Sequence, residues 1–182
     1  MRRKSRTNKV IKKRILFLLL RYLILFLLGL GNLWLISVIA TPITVGAVFV
    51  FLKVFFDKVV FLGGSDFIVR NVIVELIPAC VGVAGYYLLL ILNLTTPMGV
   101  KKRIKSLAFL LGGFFIFNIM RIIIFTFIFL QGYYFFDAAH EFTWYLGSTI
   151  FVVVLWFVNV WIFKIKKIPF VDDVKWLRSY VK

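Results

Sequence analysis

The chain has 182 residues, of which 63% are hydrophobic, and its formal net charge is +16. Soluble domains contain about 45–50% apolar residues, so this composition indicates a membrane protein. Lys and Arg stand in blocks between long apolar runs, without the interleaved aromatic side chains of a nucleic-acid binder. One Cys and one His exclude an internal disulfide and a Cys/His metal site. We therefore expect no nucleic-acid partner, no metal and no cofactor.

The first long apolar run predicts a span over about residues 15–39, behind a basic N-terminus at residues 1–14. Arg21 lies near its start and can extend its charged end to the headgroups. The Thr41-Pro42 pair is expected to end this helix, because proline lacks the backbone N–H that a helix needs.

A less regular apolar run follows at residues 43–62 and carries Lys53 and Asp57 on one helix face. These charges favour a segment that lies in the membrane interface or re-enters the membrane, rather than one that crosses it. Residues 66–76 are rich in β-branched side chains and are predicted to form an extended segment on the outer side.

Three further spans are predicted at about residues 79–96, 106–130 and 138–163, and a basic tail follows at residues 164–182. The basic blocks at the N-terminus, in the turn at residues 101–105 and in the tail should all face the cytoplasm. The predicted fold class is therefore an all-α membrane protein, a four-span helical bundle with both ends inside and one interfacial or re-entrant segment. The alternative is five spans, with residues 43–62 crossing and one end outside.

Cys80 is the first candidate for chemistry, because it lies just after Pro78 at a predicted helix start. Free backbone N–H groups and the positive end of the helix favour the nucleophilic thiolate there. Alternatively, a lone cysteine in a membrane helix is an inert, small apolar side chain.

Arg121 lies inside the third predicted span, with Asn118 on the same helix face. A charge in the membrane is costly and needs a partner or a function. The alternatives are an arginine that reaches the outer interface, or one that pairs with Glu75 or Glu141.

His140 follows Asp137 at the start of the last predicted span. A helix start disfavours the imidazolium, so a neutral ring can accept a proton there. A hydrogen-bonded interfacial histidine is the alternative, and Glu141 either orients the ring or caps the helix.

Together these residues suffice for thiol acyl transfer. Cys80 supplies a nucleophile, His140 moves the proton, and Arg121 stabilises the oxyanion. Asn118 and Glu141 are assigned to substrate binding.

With these residues, the chain resembles the exosortase/archaeosortase family of membrane cysteine transpeptidases. The resemblance covers roughly residues 70–163, and its motifs are Cys80-Val81-Gly82, Lys101-Lys102-Arg103, Asn118-Ile119-Met120-Arg121, and His140 with Trp156 in the last span. It implies that Cys80, Arg121 and His140 are catalytic. The family commonly has Ser or Thr after the cysteine, where this chain has Val81.

The resemblance also implies a substrate, a place and a reaction. The substrate would be the C-terminal sorting signal of a secreted protein, which includes a transmembrane helix. The enzyme, in an archaeal or bacterial cell membrane, would cleave near the recognition motif and pass the new C-terminus to a lipid or another amine. A non-enzymatic transporter subunit or assembly factor, with Arg121 as a structural charge, is the alternative function.

Overall fold

The structure is a computed structural model that describes the backbone of residues 2–181, and side chains within 11–179 except those of 13, 14 and 78. Most side chains of the predicted basic N-terminus, residues 1–14, thus lie outside the described part. The helices are α1 (Arg2–Gly29), α2 (Trp34–Phe55), α3 (Pro78–Val81), α4 (Val83–Thr95), α5 (Val100–Leu130), α6 (Phe136–Phe142), α7 (Ser148–Ile162) and α8 (Val171–Val181). A π-helical segment, Thr143–Gly147, joins α6 to α7, and the strands are β1 (Val59–Gly63), β2 (Asp66–Val69) and β3 (Val72–Glu75).

Long apolar helices identify this as a membrane-embedded protein. Within the described residues, three helical stretches are long and apolar enough to cross a bilayer, namely α2, α5 and the continuous run Phe136–Ile162. The apolar parts of α1 and α4, Ile15–Gly29 and Val83–Thr95, are shorter. Within an 18-residue apolar window of each long helix, between 22% and 33% of the residues are buried in the chain, so most of each window is open, at least in part, to its surroundings.

The first span was predicted as one helix over residues 15–39, and the structure interrupts it. The helix stops at Gly29 and resumes at Trp34, because Gly31, Asn32 and Leu33 have positive φ values of 64°, 54° and 62° that a right-handed helix cannot contain. Pro42 does not end the second helix but lies inside it. In an apolar environment a helix tolerates proline more readily than it tolerates an unpaired stretch of backbone.

The predicted interfacial segment, residues 43–62, is also wrong as a single unit. Residues 43–55 continue α2, and residues 59–62 belong to β1. A hydropathy profile cannot show this division, because apolar side chains occupy both the helix and the strand.

α1 and α2 follow one another in the same direction, with α1 packed on α4 and α2 on α4 and α5. The contacts follow in order along the chain. Arg21 donates to the Leu94 carbonyl, Tyr87 donates to the Leu25 carbonyl, and Phe55 and Phe56 contact Phe127. Between these levels, Ile36 belongs to the core cluster of Tyr86 and Leu110, and Leu52 to that of Ile122. Residues 43–62 therefore do not turn back across the bundle.

The three strands form an antiparallel sheet in the order β1-β2-β3. A two-residue turn joins β2 to β3, where Arg70 and Asn71 take positive φ values of 50° and 67°. Phe67 and Val69 of β2 are fully buried and pack into the same core cluster as α2 and α5. The sheet therefore covers one end of the bundle. The extended segment predicted at 66–76 contains β2 and β3, whereas β1 was not predicted.

Basic segments gather at the opposite end of the bundle. Arg21 pairs with Asp173 of α8 at 2.9 Å, and the Phe170 backbone N–H donates to the Thr95 carbonyl. Arg103 donates to backbone carbonyls at the end of α4. The start of α5 and the C-terminal tail thus meet at the end farthest from the sheet.

Close packing of α4 on α5 yields a first prediction. A Cβ added at Gly85 would overlap the ring of Phe114, which is buried in the core. Gly85→Ala is expected to lower the free energy of unfolding by about 1–3 kcal/mol through overpacking. Gly112→Ala is the matched control, because a Cβ there meets nothing within 4 Å. Thermal unfolding in detergent measures both, and equal stability of the two variants would refute the predicted contact.

Candidate active site

Cys80 lies in α3, a helix of four residues that Gly82 ends with a positive φ of 75°. Its backbone N–H is already used, since it donates to the Ile77 carbonyl at 2.8 Å. Cys80 thus lies at a helix start, as predicted, but its N–H group is occupied and α3 is only one turn long, so the expected activation by free N–H groups and a helix dipole loses its basis. A single turn lacks the aligned peptide dipoles of a full helix. Any activation of the thiol has to come from neighbouring side chains.

His140 is one such neighbour. Its Nε2 atom lies 3.7 Å from Cys80 Sγ, although 60 residues separate the two in sequence. The imidazole stacks on Phe136, with ring centroids 5.5 Å apart and planes 7° apart. Phe125 of α5 contacts it edge-on, at a centroid distance of 5.3 Å. These two rings fix the plane of the imidazole, so Nε2 remains directed toward the thiol.

Arg121 lies under α3 and is 7% exposed. Its guanidinium donates to the Cys80 carbonyl at 2.9 Å, to the Ala79 carbonyl at 3.3 Å and to the Ser148 hydroxyl at 2.9 Å. Among the described side chains no carboxylate lies within ion-pair distance, so the pairing with Glu75 or Glu141 considered from the sequence is not formed. The guanidinium has more N–H donors than these three contacts use.

The π-helical segment explains how one helix presents both His140 and the Arg121 partner, Ser148. These two residues are eight positions apart, which in a regular α-helix would place them about 80° apart around the axis. The wider π turn between them removes most of that offset, so both face α3 and α5. π-helical turns are frequent at functional sites.

The two residues assigned to substrate binding lie elsewhere. The buried Asn118 amide donates to the Cys80 and Val81 carbonyls, at 2.9 Å each, so it positions α3 from below. Glu141 is exposed and does not line the cavity beside Cys80. The structure brings neither side chain to the place where a substrate would meet the thiol.

A cavity of about 340 Å³ opens at Cys80, and Arg121 and His140 both line it. Phe125 and Phe136 form part of its wall, and β3 forms another part. These aromatic residues and Ser148 were not among the predicted site residues. A signal was available, since Phe125 is four residues after Arg121 and Phe136 is four residues before His140, a spacing that places each pair on one helix face.

This arrangement brings together a nucleophile, a proton acceptor and a cationic hydrogen-bond donor in a largely apolar cavity. That set suits acyl transfer through a thioester. In the part of the chain that the structure describes, no three His, Cys, Asp or Glu side chains converge on a metal position.

Comparison with family models, with curated proteins and with solved structures finds no match to this chain. The geometry around Cys80 is therefore what bears on the function.

Proposed function

We propose that this protein is an exosortase/archaeosortase-like intramembrane cysteine transpeptidase. It would cleave the C-terminal sorting signal of exported proteins through a thioester and pass the new C-terminus to a lipid or another amine. The observation that carries the proposal is the 3.7 Å contact between Cys80 Sγ and His140 Nε2, with Arg121 bound to the Cys80 carbonyl. The motif resemblance over residues 70–163 points to the same three residues.

The proposed reaction has two steps. His140 takes the proton of the Cys80 thiol, and the sulfur attacks the carbonyl carbon of the scissile peptide. The guanidinium of Arg121 has N–H groups that are not used in its hydrogen bonds to the protein, and these stabilise the oxyanion. The C–N bond then breaks, His140 returns the proton to the leaving amine, and a thioester remains. An acceptor amine attacks the thioester, a new amide forms, and the Cys80 thiol is restored.

We also propose four passes with both ends in the cytoplasm, which places the cavity toward the outer face. The basic segments gather at one end of the bundle and the sheet lies at the other, consistent with the positive-inside rule. Sixteen residues of α5 separate Lys105 from Arg121, or about 24 Å along the helix. Since the hydrocarbon layer is about 30 Å thick, Arg121 would lie in its outer part, within reach of an exported chain.

Thiol labelling of intact cells tests both the sidedness and the activation of Cys80. Cys80 is the only cysteine in the chain, so any labelling reports this position. A membrane-impermeant maleimide is expected to label it from outside. In the His140→Phe variant, the rate at which Cys80 is labelled is expected to fall on the order of tenfold or more. Phenylalanine keeps the aromatic packing but cannot accept the proton.

Two controls accompany this labelling. Cys80→Ala has no thiol and must stay unlabelled, and inverted vesicles expose the opposite face to the same reagent. Labelling of inverted vesicles alone would overturn the proposed orientation. Equal rates for the natural protein and His140→Phe would remove His140 from thiol activation.

A structural role for Arg121 supports a second candidate, a non-enzymatic assembly factor or transporter subunit. Its guanidinium joins α5 to α3 through the Ala79 and Cys80 carbonyls and to α7 through the Ser148 hydroxyl, which is an arrangement suited to a structural residue. This candidate predicts that replacing Cys80 by serine has no effect in the cell.

A further inference from the structure

One edge of the sheet opens into the cavity. Ile73, Val74, Glu75, Leu76 and Ile77 line it as five consecutive residues. Side chains alternate between the faces of a strand, so a cavity over a face would meet every second residue. An unbroken run of lining residues shows that the cavity lies along the edge of β3 and its continuation.

The backbone groups at this edge can be assigned from the strand register. Val69 pairs with Val72 and Phe67 with Val74, and the Leu76 N–H donates to the Ser65 carbonyl at 3.0 Å. Residues 72, 74 and 76 therefore direct their N–H and C=O groups toward β2, because these directions alternate along an antiparallel strand.

Ile73 and Glu75 consequently direct their N–H and C=O groups away from β2, toward the free edge. Within the described part of the chain, no backbone partner is recorded for these groups. An edge of this kind is a template for another extended chain.

Charge supplies a second feature of the edge. Glu75 is the acidic side chain lining the cavity, and among the described residues no Lys or Arg lies within ion-pair distance of it. A bound chain with a basic side chain opposite Glu75 would form an ion pair with its carboxylate. β3 also leads through Leu76 and Ile77 into α3, so a chain paired along this edge extends toward Cys80.

We infer that the peptide substrate binds as a fourth strand along the free edge of β3, in an extended conformation, with a basic side chain placed opposite Glu75. This inference rests on the proposed function and specifies how its substrate is held. The edge positions the scissile carbonyl over Cys80 through main-chain hydrogen bonds, and Glu75 contributes selectivity.

A set of synthetic probes tests the inference on the unaltered protein in detergent. Each probe is an acetylated pentaalanine chloromethyl ketone, which alkylates the Cys80 sulfur with loss of chloride and formation of a thioether. One amide nitrogen is N-methylated at each position in turn, and iodoacetamide measures the reactivity of the thiol without a peptide. The alkylation rate is followed by mass spectrometry.

Pairing along β3 predicts an alternating pattern. Methylation of every second nitrogen should slow alkylation by about fivefold to tenfold, since each such change removes one hydrogen bond to the edge, while intervening positions should change little. A lysine moved along the probe should accelerate alkylation at one position, and Glu75→Gln should abolish that advantage.

The outcomes separate this inference from the proposed function. If iodoacetamide labels Cys80 but the methylated probes show no alternation, strand pairing is overturned and the thiol chemistry still stands. If the protein is dimeric in detergent and the rates show no alternation, the edge belongs to a second copy, which also overturns it. If Cys80 reacts with no reagent, the proposed function fails and the inference fails with it.

Discussion

Replacing Cys80 by alanine is expected to abolish processing of a co-expressed exported protein that ends in a short motif, an apolar helix and a basic tail. The thioester cannot form without the sulfur, so the loss should reach the detection limit. Cys80 is half-buried and the change removes one atom, so insertion and folding should persist. The length of the substrate on an immunoblot gives the result, and hydroxylamine should release the thioester-linked fragment from the natural enzyme only.

Cys80→Ser is the informative companion variant. A serine hydroxyl is a poorer nucleophile in a site built for a thiol, so processing should also be lost. Normal processing by either variant would end the transpeptidase proposal. It would favour the structural role of Arg121 in an assembly factor or transporter subunit.

Arg121→Lys is expected to lower the rate of processing by about 100-fold to 1,000-fold, the loss that follows removal of an oxyanion donor. Lysine keeps the charge but cannot reproduce the planar fork that reaches the Cys80 carbonyl and the Ser148 hydroxyl together. Single-turnover rates with purified enzyme and substrate in detergent or nanodiscs would measure this.

The Ser148→Ala variant distinguishes a catalytic role of Arg121 from a structural one. It removes one contact of Arg121 and leaves both carbonyl contacts in place, so the rate should fall far less than in Arg121→Lys. Thermal unfolding of both variants completes the comparison. If the rates fall in proportion to stability, and equally in the two variants, Arg121 is a structural residue only.

Hydropathy and charge predicted much of the helical framework. α5 and the run from α6 to α7 lie where spans at 106–130 and 138–163 were expected, because an apolar run of that length has few other structures available in lipid. The prediction failed where two structures are compatible with one apolar sequence. Residues 43–62 illustrate this, since their division between α2 and β1 depends on packing against residues distant in the chain.

The hairpin could have been predicted more fully than it was. Val69-Arg70-Asn71-Val72 places two residues between β-branched neighbours, and asparagine accepts the positive φ that such a turn requires. The packing of the hairpin against α2 and α5 could not be predicted, because no residue within the hairpin specifies what Phe67 packs against.

The candidate site was predictable as a set of residue types and not as an arrangement. Cys80, Arg121 and His140 stood out because a polar group in a membrane helix requires a reason. The sequence did not show that Arg121 binds the backbone of Cys80, nor that Asn118 supports α3 rather than a substrate. Both relations depend on the depth at which α3 meets α5.

The π turn at Thr143–Gly147 has a consequence for how this chain tolerates insertions and deletions. Removing one residue from it would leave His140 and Ser148 seven positions apart, which a regular α-helix places within about 20° of each other. His140 would then still face the thiol while Ser148 stayed with Arg121. Homologous chains that keep the chemistry should therefore carry either this π turn or a regular helix one residue shorter, whereas the loss of two residues would turn His140 away from the thiol by about 120°.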